Sequence, residues 1–348
     1  MSGAHPTDRT APAPPSSADE FRAFVVTRDG EDVESGVRDL GASDLPAGEV
    51  TVRVEWSSVN YKDAMTTQPG NRVARISPLV PGVDLVGTVT ASDDSTVAIG
   101  SEVIVHGYDL GVARHGGFAE FARVPGSWVV PLPRGLSPRD AAIVGTAGFT
   151  AALSLDRLEA FGVRAADGPL LVTGASGGVG SMAVLLCAAR GYEVVASTGK
   201  TAEREYLLGL GASEVIGRDA LTGDGGRTLG TERWAAAVDC VGGATLAAVL
   251  RAIRYGGAVA ASGLTAGSVL ETTVFPFIVR NVSLIGVDSV QTPLAVRRGV
   301  WNEIAARFPR GQLEAVVEQE VDLDHLQAAL ASVLQASVRG RILVSPSK

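Results

Sequence analysis

The sequence is poor in cysteine, in aromatic residues and in long apolar runs, and each shortage removes a class of protein. Among 348 residues there are two cysteines, Cys187 and Cys240. Two thiols cannot build a disulfide framework, and a Cys-based structural zinc site needs three or four such ligands. A reducing, cytoplasmic setting is therefore expected. No apolar run approaches the ~20 residues of a membrane-spanning helix, so no membrane partner is expected. Lysine and arginine total 30 against 38 acidic residues, a net charge of −8. With no Lys/Arg run, the basic footprint of a nucleic-acid-binding chain is missing. Aromatics make up 5%, yet 46% of the residues are hydrophobic and 20% charged, the balance of a globular chain and not of a disordered or fibrous one. At roughly 100–200 residues per domain, the length predicts two domains with sizeable cores.

Glycine, by contrast, is abundant, with 42 residues, many of them in turns between short apolar runs. Met1 to Asp19 is rich in Pro, Ser, Thr and Ala and lacks the apolar stretch of a signal peptide. It has too few large apolar residues to offset the entropy of ordering, so residues 1–20 read as a disordered tail. From Phe21 to about Pro133 the pattern is strand-like. Glu49 to Trp56 alternates, with Val50, Val52, Val54 and Trp56 on one face and Thr51, Arg53 and Glu55 on the other. Shorter strands are expected at Leu85–Thr90, Glu102–His106, Gly117–Arg123 and Trp128–Pro131, which suggests a barrel-like β domain.

The rhythm changes at Ser137-Pro138-Arg139-Asp140, which supplies an N-cap, a proline at the first helical position and an early acid. From Pro169 onward strands alternate with helices. Strands are expected at Leu170–Thr173, Glu193–Ala196, Glu214–Ile216, Ala235–Val238 and Gly256–Ala261. The helices between them are Val179–Arg190, Thr201–Leu210 and Ala244–Ile253. This alternation predicts an α/β unit with a parallel, doubly wound sheet. Helices at Pro293–Phe308 and Asp324–Leu334 and a strand at Arg341–Val344 follow, as if the α/β unit were inserted into the first domain.

The strongest local signal runs from Leu170 to Gly180, an apolar strand passing through a glycine-rich turn into a helix. Gly177 and Gly180 occupy the second and third places of a dinucleotide-binding fingerprint, with Ala175 in the first. Ser176, Gly177, Gly178, Val179 and Gly180 would then present backbone N–H groups to a pyrophosphate at the helix N-terminus. The plainer alternative is a tight strand–helix turn with no ligand. About 20 residues on, where an NAD enzyme places an acid for the ribose hydroxyls, the chain reads Val194-Val195-Ala196-Ser197-Thr198-Gly199-Lys200. No carboxylate is there to repel a 2′-phosphate, and two hydroxyls and an ammonium are there to bind one. NADPH is favoured, with a solvated loop and an incidental lysine as the alternative. Asn60-Tyr61-Lys62-Asp63 follows the alternating strand. A tyrosine hydroxyl beside Asn and Asp could protonate a polarised substrate; equally, Tyr61 could be a half-buried packing residue and Asp63 a helix N-cap.

Several segments occur in one order: Asn60–Asp63, Pro81-Gly82-Val83-Asp84, Gly-Gly-Phe-Ala-Glu (116–120), Gly-Thr-Ala-Gly-Phe-Thr-Ala (145–151) and the glycine turn. That order resembles the zinc-independent branch of the medium-chain dehydrogenase/reductase superfamily. The Ser-Thr-Gly-Lys turn (197–200), Phe-Pro-Phe-Ile-Val-Arg (275–280), Gly-Val-Asp-Ser-Val (286–290) and Gly-Arg-Ile-Leu-Val (340–344) resemble its acryloyl-CoA reductase subfamily, also known under the quinone oxidoreductase name. The likeness runs from about residue 21 to 346. It implies a GroES-like catalytic domain at 21–145 and 287–348, and a Rossmann NADPH-binding domain at 146–286.

In zinc alcohol dehydrogenases of this superfamily a cysteine stands in the place of Asn60 and a Gly-His-Glu in that of Gly82-Val83-Asp84. Amide and valine are not competent zinc ligands, so no metal is expected. His106 and His115 have no Cys or His partner at ligand spacing and read as structural. The resemblance implies hydride transfer to the β-carbon of a short 2-enoyl-CoA, with protonation at the α-carbon. Tyr61, Asn60 and Asp63 would be catalytic: Tyr61 carries the proton and also touches the cofactor, Asn60 holds the carbonyl or the nicotinamide, and Asp63 orients the pair. Ser197, Thr198, Gly199, Lys200 and Arg218 would surround the adenosine 2′-phosphate. Leu264, Ile278 and Ser289 would line the nicotinamide half.

Arg72 and Arg75 could meet CoA phosphates or be solvated surface charges. Ala336 and Ser337 depart from the amide side chains expected there. The substrate expected is an acyl-CoA, with a quinone or enone as the alternative acceptor and a non-catalytic NADPH-binding protein as the alternative of another class. Relatives of this kind are often homodimers through an edge strand of the nucleotide-binding sheet, which Gly256–Ala261 or Val282–Val287 could supply.

Overall fold

The structure is a computed structural model that describes residues 20–222, 227–308 and 310–348. The stretch expected to be a disordered tail lies outside the described residues, apart from Glu20. The chain divides into two compact units. One holds the residues up to Ala142, with Glu320–Leu334 and Leu343–Lys348; the other holds Ile143–Gln319 and Gln335–Ile342. Residues 287–319, grouped with the catalytic domain in the sequence, cluster with the second unit.

The first unit opens with an antiparallel hairpin, β1 (Glu20–Asp29) and β2 (Asp32–Gly41). Gly30 in its two-residue turn takes a positive φ of 60°, the torsion such a turn demands. Next come β3 (Val50–Ser58), β4 (Asp84–Ser92), β5 (Glu102–His106), β6 (Phe121–Val124) and β7 (Val130–Pro131). Antiparallel pairing joins β3 to β4 and β6, β4 to β5, and β5 to β7. Val50, Val52 and Val54 point inward as the alternation requires and pack with Leu85, Val89, Val103, Val105 and Leu110. Trp56, expected on that inward face, is only partly buried. A register shift against β4 falls between Val54 and Trp56, which re-aims the side chain; Arg139 and Lys348 cover its ring.

At Ser137 the expected cap forms. Ser137 Oγ accepts from the Asp140 amide and donates to Asp140 Oδ2, and the helix Pro138–Phe161 follows, kinked at Gly145 (φ 47°).

In the second unit, the strands are β8 (Leu170–Thr173), β9 (Val194–Thr198), β10 (Glu214–Gly217), β11 (Trp234–Asp239), β12 (Ile253–Ala261) and β13 (Ser283–Gly286). Among the described residues they form one parallel sheet ordered β10-β9-β8-β11-β12-β13. Leu171, Val195, Trp234, Ala237, Val249 and Val259 fill one core on this sheet. Strands buried on both faces read as continuous apolar runs, which is why the sequence gives them so directly. Strand order reverses between β8 and β11, the switch point where open α/β sheets hold ligands beyond the strand C-termini. The expected helix Thr201–Leu210 is a 3₁₀ turn at Thr201–Glu203 followed by a helix at Arg204–Gly209. Of the two candidate edge runs, Val282–Val287 supplies the edge strand β13, whereas Gly256–Ala261 lies in the interior strand β12. Two further strands, β14 (Val317–Val321) and β15 (Arg341–Val344), extend the first sheet beside β3.

Candidate active site: a glycine turn and a buried carboxylate pair

Strand β8 delivers the chain into a turn in which Gly174 takes φ +59°, a torsion glycine adopts without penalty. Ala175 stands at the expected first fingerprint position, but the tight turn belongs to Gly174. The spacing is Gly174-x-x-Gly177-x-x-Gly180, and Ala175 is a buried residue whose N–H donates to the Ser197 carbonyl (3.0 Å). A Cβ on Gly180 would lie 2.2 Å from the Gly174 oxygen, so only glycine lets the helix start this close to the turn. Gly177 is the N-cap of that helix, Gly178–Ala189. Its 12 residues direct unsatisfied N–H groups and the positive end of the dipole at the turn.

At the end of β9, Ser197 and Thr198 are buried. Ser176 Oγ and Thr198 Oγ1 share a hydrogen bond of 3.0 Å, and the Lys200 amide donates to the same Thr198 oxygen (3.0 Å). A Cβ on Gly199 would lie 2.8 Å from Arg218 Nη2. Glycine is therefore what allows the guanidinium to lie against the backbone here. Thr173, Gly174, Ser197, Thr198, Gly199, Arg218, Val241 and Thr245 line one cleft. Its lining includes no carboxylate and one cation. Among the described residues the Arg218 guanidinium makes no hydrogen bond or ion pair. Lys200 is committed elsewhere: its ammonium donates to the Val338 carbonyl, and burial pulls its pKa below the usual lysine range.

Thr173, Val241 and Thr245 were not anticipated. Thr173 Oγ1 donates to Asp239 Oδ1 (2.7 Å) and the Gly242 amide to Asp239 Oδ2 (2.8 Å), tying β8 to β11 at the switch point. Burial raises the pKa of Asp239. Their signal was positional, since each ends a parallel strand or follows one. Leu264, Ile278 and Ser289 do not line this cleft. The first two are large apolar side chains left 65% and 73% exposed, and the Ser289 hydroxyl shares a hydrogen bond with Thr150 Oγ1 (2.9 Å).

In the first unit, Asn60 is the N-cap of the helix Tyr61–Thr66. Asp63 is not the cap but its reciprocal partner at the third helical position, accepting the Asn60 amide at Oδ2 (2.8 Å). Its Oδ1 accepts the amides of Gly82 (3.1 Å) and Val83 (2.9 Å). Gly82 has φ +101°, and a Cβ there would lie 2.7 Å from the Phe118 nitrogen. Asp63 thus pins the helix start to the 81–84 turn. Its carboxyl is fully buried, and burial pushes its pKa up from 3.8 to about 7 against the pull of three N–H donors, with Asp84 adding repulsion.

Asn60 Nδ2 donates to Asp84 Oδ2 (2.7 Å) and to the Ser58 carbonyl (3.2 Å), and Ser58 Oγ donates to the same Asp84 oxygen (2.7 Å). Both amide hydrogens of Asn60 are therefore directed into the chain. Tyr61, beside it, is 50% exposed. Sequence spacing alone does not connect Ser58 and Asp84 to the 60–63 segment. Of the loop arginines, Arg75 pairs with Asp109 and Arg72 is exposed. His115 Nδ1 accepts the Val80 amide (3.2 Å), and burial lowers its pKa.

Comparison with known proteins places this geometry. The family described as alcohol dehydrogenase GroES-like domain matches residues 46–134, and the one described as zinc-binding dehydrogenase matches residues 178–307. The acrylyl-CoA reductase AcuI of Ruegeria pomeroyi is 45% identical over 93% of this chain and 98% of its own length. The chain belongs to the medium-chain dehydrogenase/reductase family.

Solved structures agree with that membership. The yhdH oxidoreductase of Salmonella enterica, crystallised in complex with NADP, is 44% identical, with a TM-score of 0.90 over 93% of this chain and 99% of that one. The Bacillus subtilis protein yhfP, crystallised with NAD bound, is 45% identical, with a TM-score of 0.92 over 94% of this chain and 100% of that one. As a member of the family the chain is an oxidoreductase. One family description carries the word zinc, yet among the described residues no group of three or more His, Cys, Asp and Glu could hold a metal ion. No helix among the described residues is long and apolar enough to cross a membrane.

Proposed function

We propose that this protein is a zinc-independent, NADPH-dependent reductase of short 2-enoyl-CoA thioesters, with acryloyl-CoA as its substrate and propanoyl-CoA as its product. The observation that carries the cofactor choice is the Arg218 guanidinium, which has no partner among the described residues. It lies against Gly199 in a cleft lined by hydroxyls and by no carboxylate. A planar, permanently charged fork suits a phosphate dianion, and the acid that would accept ribose hydroxyls is missing. NADP in the Salmonella structure fits this reading; NAD in the Bacillus one makes the choice worth testing here.

NADPH, when bound, supplies the hydride. The glycine turn 174–180 would hold the pyrophosphate through backbone N–H groups. Ser197, Thr198 and Arg218 would hold the 2′-phosphate, with Lys200 joining by leaving the Val338 carbonyl. Leu264, Ile278 and Ser289 would contact the nicotinamide half.

In the first unit, the Asn60 amide hydrogens already go to Asp84 and Ser58. Carbonyl polarisation and proton delivery to the α-carbon then fall to the Tyr61 hydroxyl. Asp63, whose carboxylate accepts the Asn60, Gly82 and Val83 amides, positions the helix on which Tyr61 sits. The acyl-CoA substrate rests on the kinship with the acrylyl-CoA reductase.

The test is NADPH and NADH oxidation with acryloyl-CoA beside a simple benzoquinone. Turnover with the thioester and NADPH supports the reading. Turnover with the quinone alone replaces the substrate, and binding of NADPH without turnover of either makes the chain a cofactor-binding protein.

A further inference from the structure

The helix Leu294–Arg307 buries a stripe at positions 297, 300, 301, 304 and 305. This is the spacing of a core-facing face. Four of the five are Val300, Trp301, Ile304 and Ala305; the first is Arg297, and it is fully buried. A charge in a core slot costs desolvation that an aliphatic side chain would not, so its contacts are informative. Arg297 Nη2 donates to the carbonyls of Ser289 (3.2 Å), Val290 (3.2 Å) and Thr292 (3.4 Å). Its guanidinium carbon lies 5.2 Å from the centroid of the Phe149 ring, which stacks in turn on Trp301.

The turn that Arg297 holds is tied from two other sides. Asp288 accepts the amides of Val290 and Gln291 through its carboxylate and the Thr292 hydroxyl through its carbonyl. Thr150, next to Phe149, gives its hydroxyl hydrogen to the Thr146 carbonyl (2.6 Å) and shares a hydrogen bond with Ser289 Oγ (2.9 Å). Backbone and side chain of Ser289 are thereby both fixed.

We propose that Arg297 is a positioning residue for the cofactor. By gathering the 289–292 carbonyls over Phe149, it sets where the Ser289 hydroxyl stands. The inference rests on the reading of Ser289 as a contact to the nicotinamide half. An aliphatic residue would fill the volume but leave three inward carbonyls without this donor, and a lysine ammonium would lack the planar face that lies over the Phe149 ring.

The test compares Arg297→Lys, Thr150→Val and Ser289→Ala in binding to NADPH and to 2′,5′-ADP, which lacks the nicotinamide. Arg297→Lys and Thr150→Val should each weaken NADPH about tenfold, as small misplacements of a binding group do, and leave 2′,5′-ADP unchanged. Thr150→Val keeps the buried charge in place, so it reports on the link even if an Arg297 variant folds poorly. Equal loss of both ligands would mean general loosening and overturn the proposal, as would unchanged NADPH binding in Arg297→Lys and Thr150→Val while Ser289→Ala weakens it. Unchanged NADPH binding in Ser289→Ala would instead overturn the reading of Ser289 and the inference with it.

Discussion

At Asp63 three backbone N–H groups converge on a carboxyl that burial holds at a pKa of about 7. Its folded value lies above the unfolded one, so the folded state keeps the proton longer. The stability it contributes is present in full below about pH 4 and is lost as pH rises through about 7. The raised value corresponds to at most about 4 kcal/mol across that window. Asp63→Asn should therefore flatten the fall in stability between pH 4.5 and 7.5, read from denaturant unfolding at both ends. An unchanged slope would remove Asp63 as its source.

The other residue-scale expectations concern the cofactor and the proton. Losing a guanidinium–phosphate contact costs roughly 1.5–3 kcal/mol, so Arg218→Ala should raise the NADPH KM by about 10- to 100-fold and leave NADH nearly unaffected. Lys200→Ala should cost less, because in the structure its ammonium serves the Val338 carbonyl. Equal losses with both nucleotides would contradict this view of the cleft. Tyr61→Phe should lower kcat and change the solvent isotope effect; full turnover with an unchanged effect would free Tyr61 of the proton.

Elements were legible where one physical pattern governed them. Strands β8, β9, β11 and β12 are apolar on both faces and stand out from the helices between them, and the Ser137–Asp140 cap forms as read. The hairpin strand Asp32–Gly41 and the strand Val317–Val321 are mostly polar and incompletely buried, so neither offers an inward face for sequence to announce. Asn60 and Asp84 meet because β3 pairs with β4, a contact 24 residues apart that local spacing does not encode. Arg218 could be named only through resemblance, and its lack of a partner among the described residues only from the structure.

The glycine turn makes the element-scale prediction. Gly180→Ala forces a methyl to within 2.2 Å of the Gly174 carbonyl. Overpacking of this kind costs about 1–3 kcal/mol. The variant should melt several degrees lower and lose NADPH binding, whereas Gly209→Ala, with open space around it, should do neither. Equal behaviour of the two would deny Gly180 its packing role.

For the whole molecule, two kinds of evidence converge. Among the described residues the second unit has a parallel sheet with a switch point, a tight glycine turn and a cation without a partner, the features on which the proposed dinucleotide site rests. The first has an exposed tyrosine on a helix pinned by a buried carboxyl. The proposed acyl-CoA substrate rests on kinship at 45% identity to an acrylyl-CoA reductase. The most direct measurement is oxidation of NADPH at 340 nm with acryloyl-CoA, run beside NADH and a benzoquinone under identical conditions. Fast turnover is expected with NADPH and the thioester, slow turnover with NADH and little with the quinone. Oxidation of NADPH by the quinone alone, or equal rates with NADH, would contradict the proposed function.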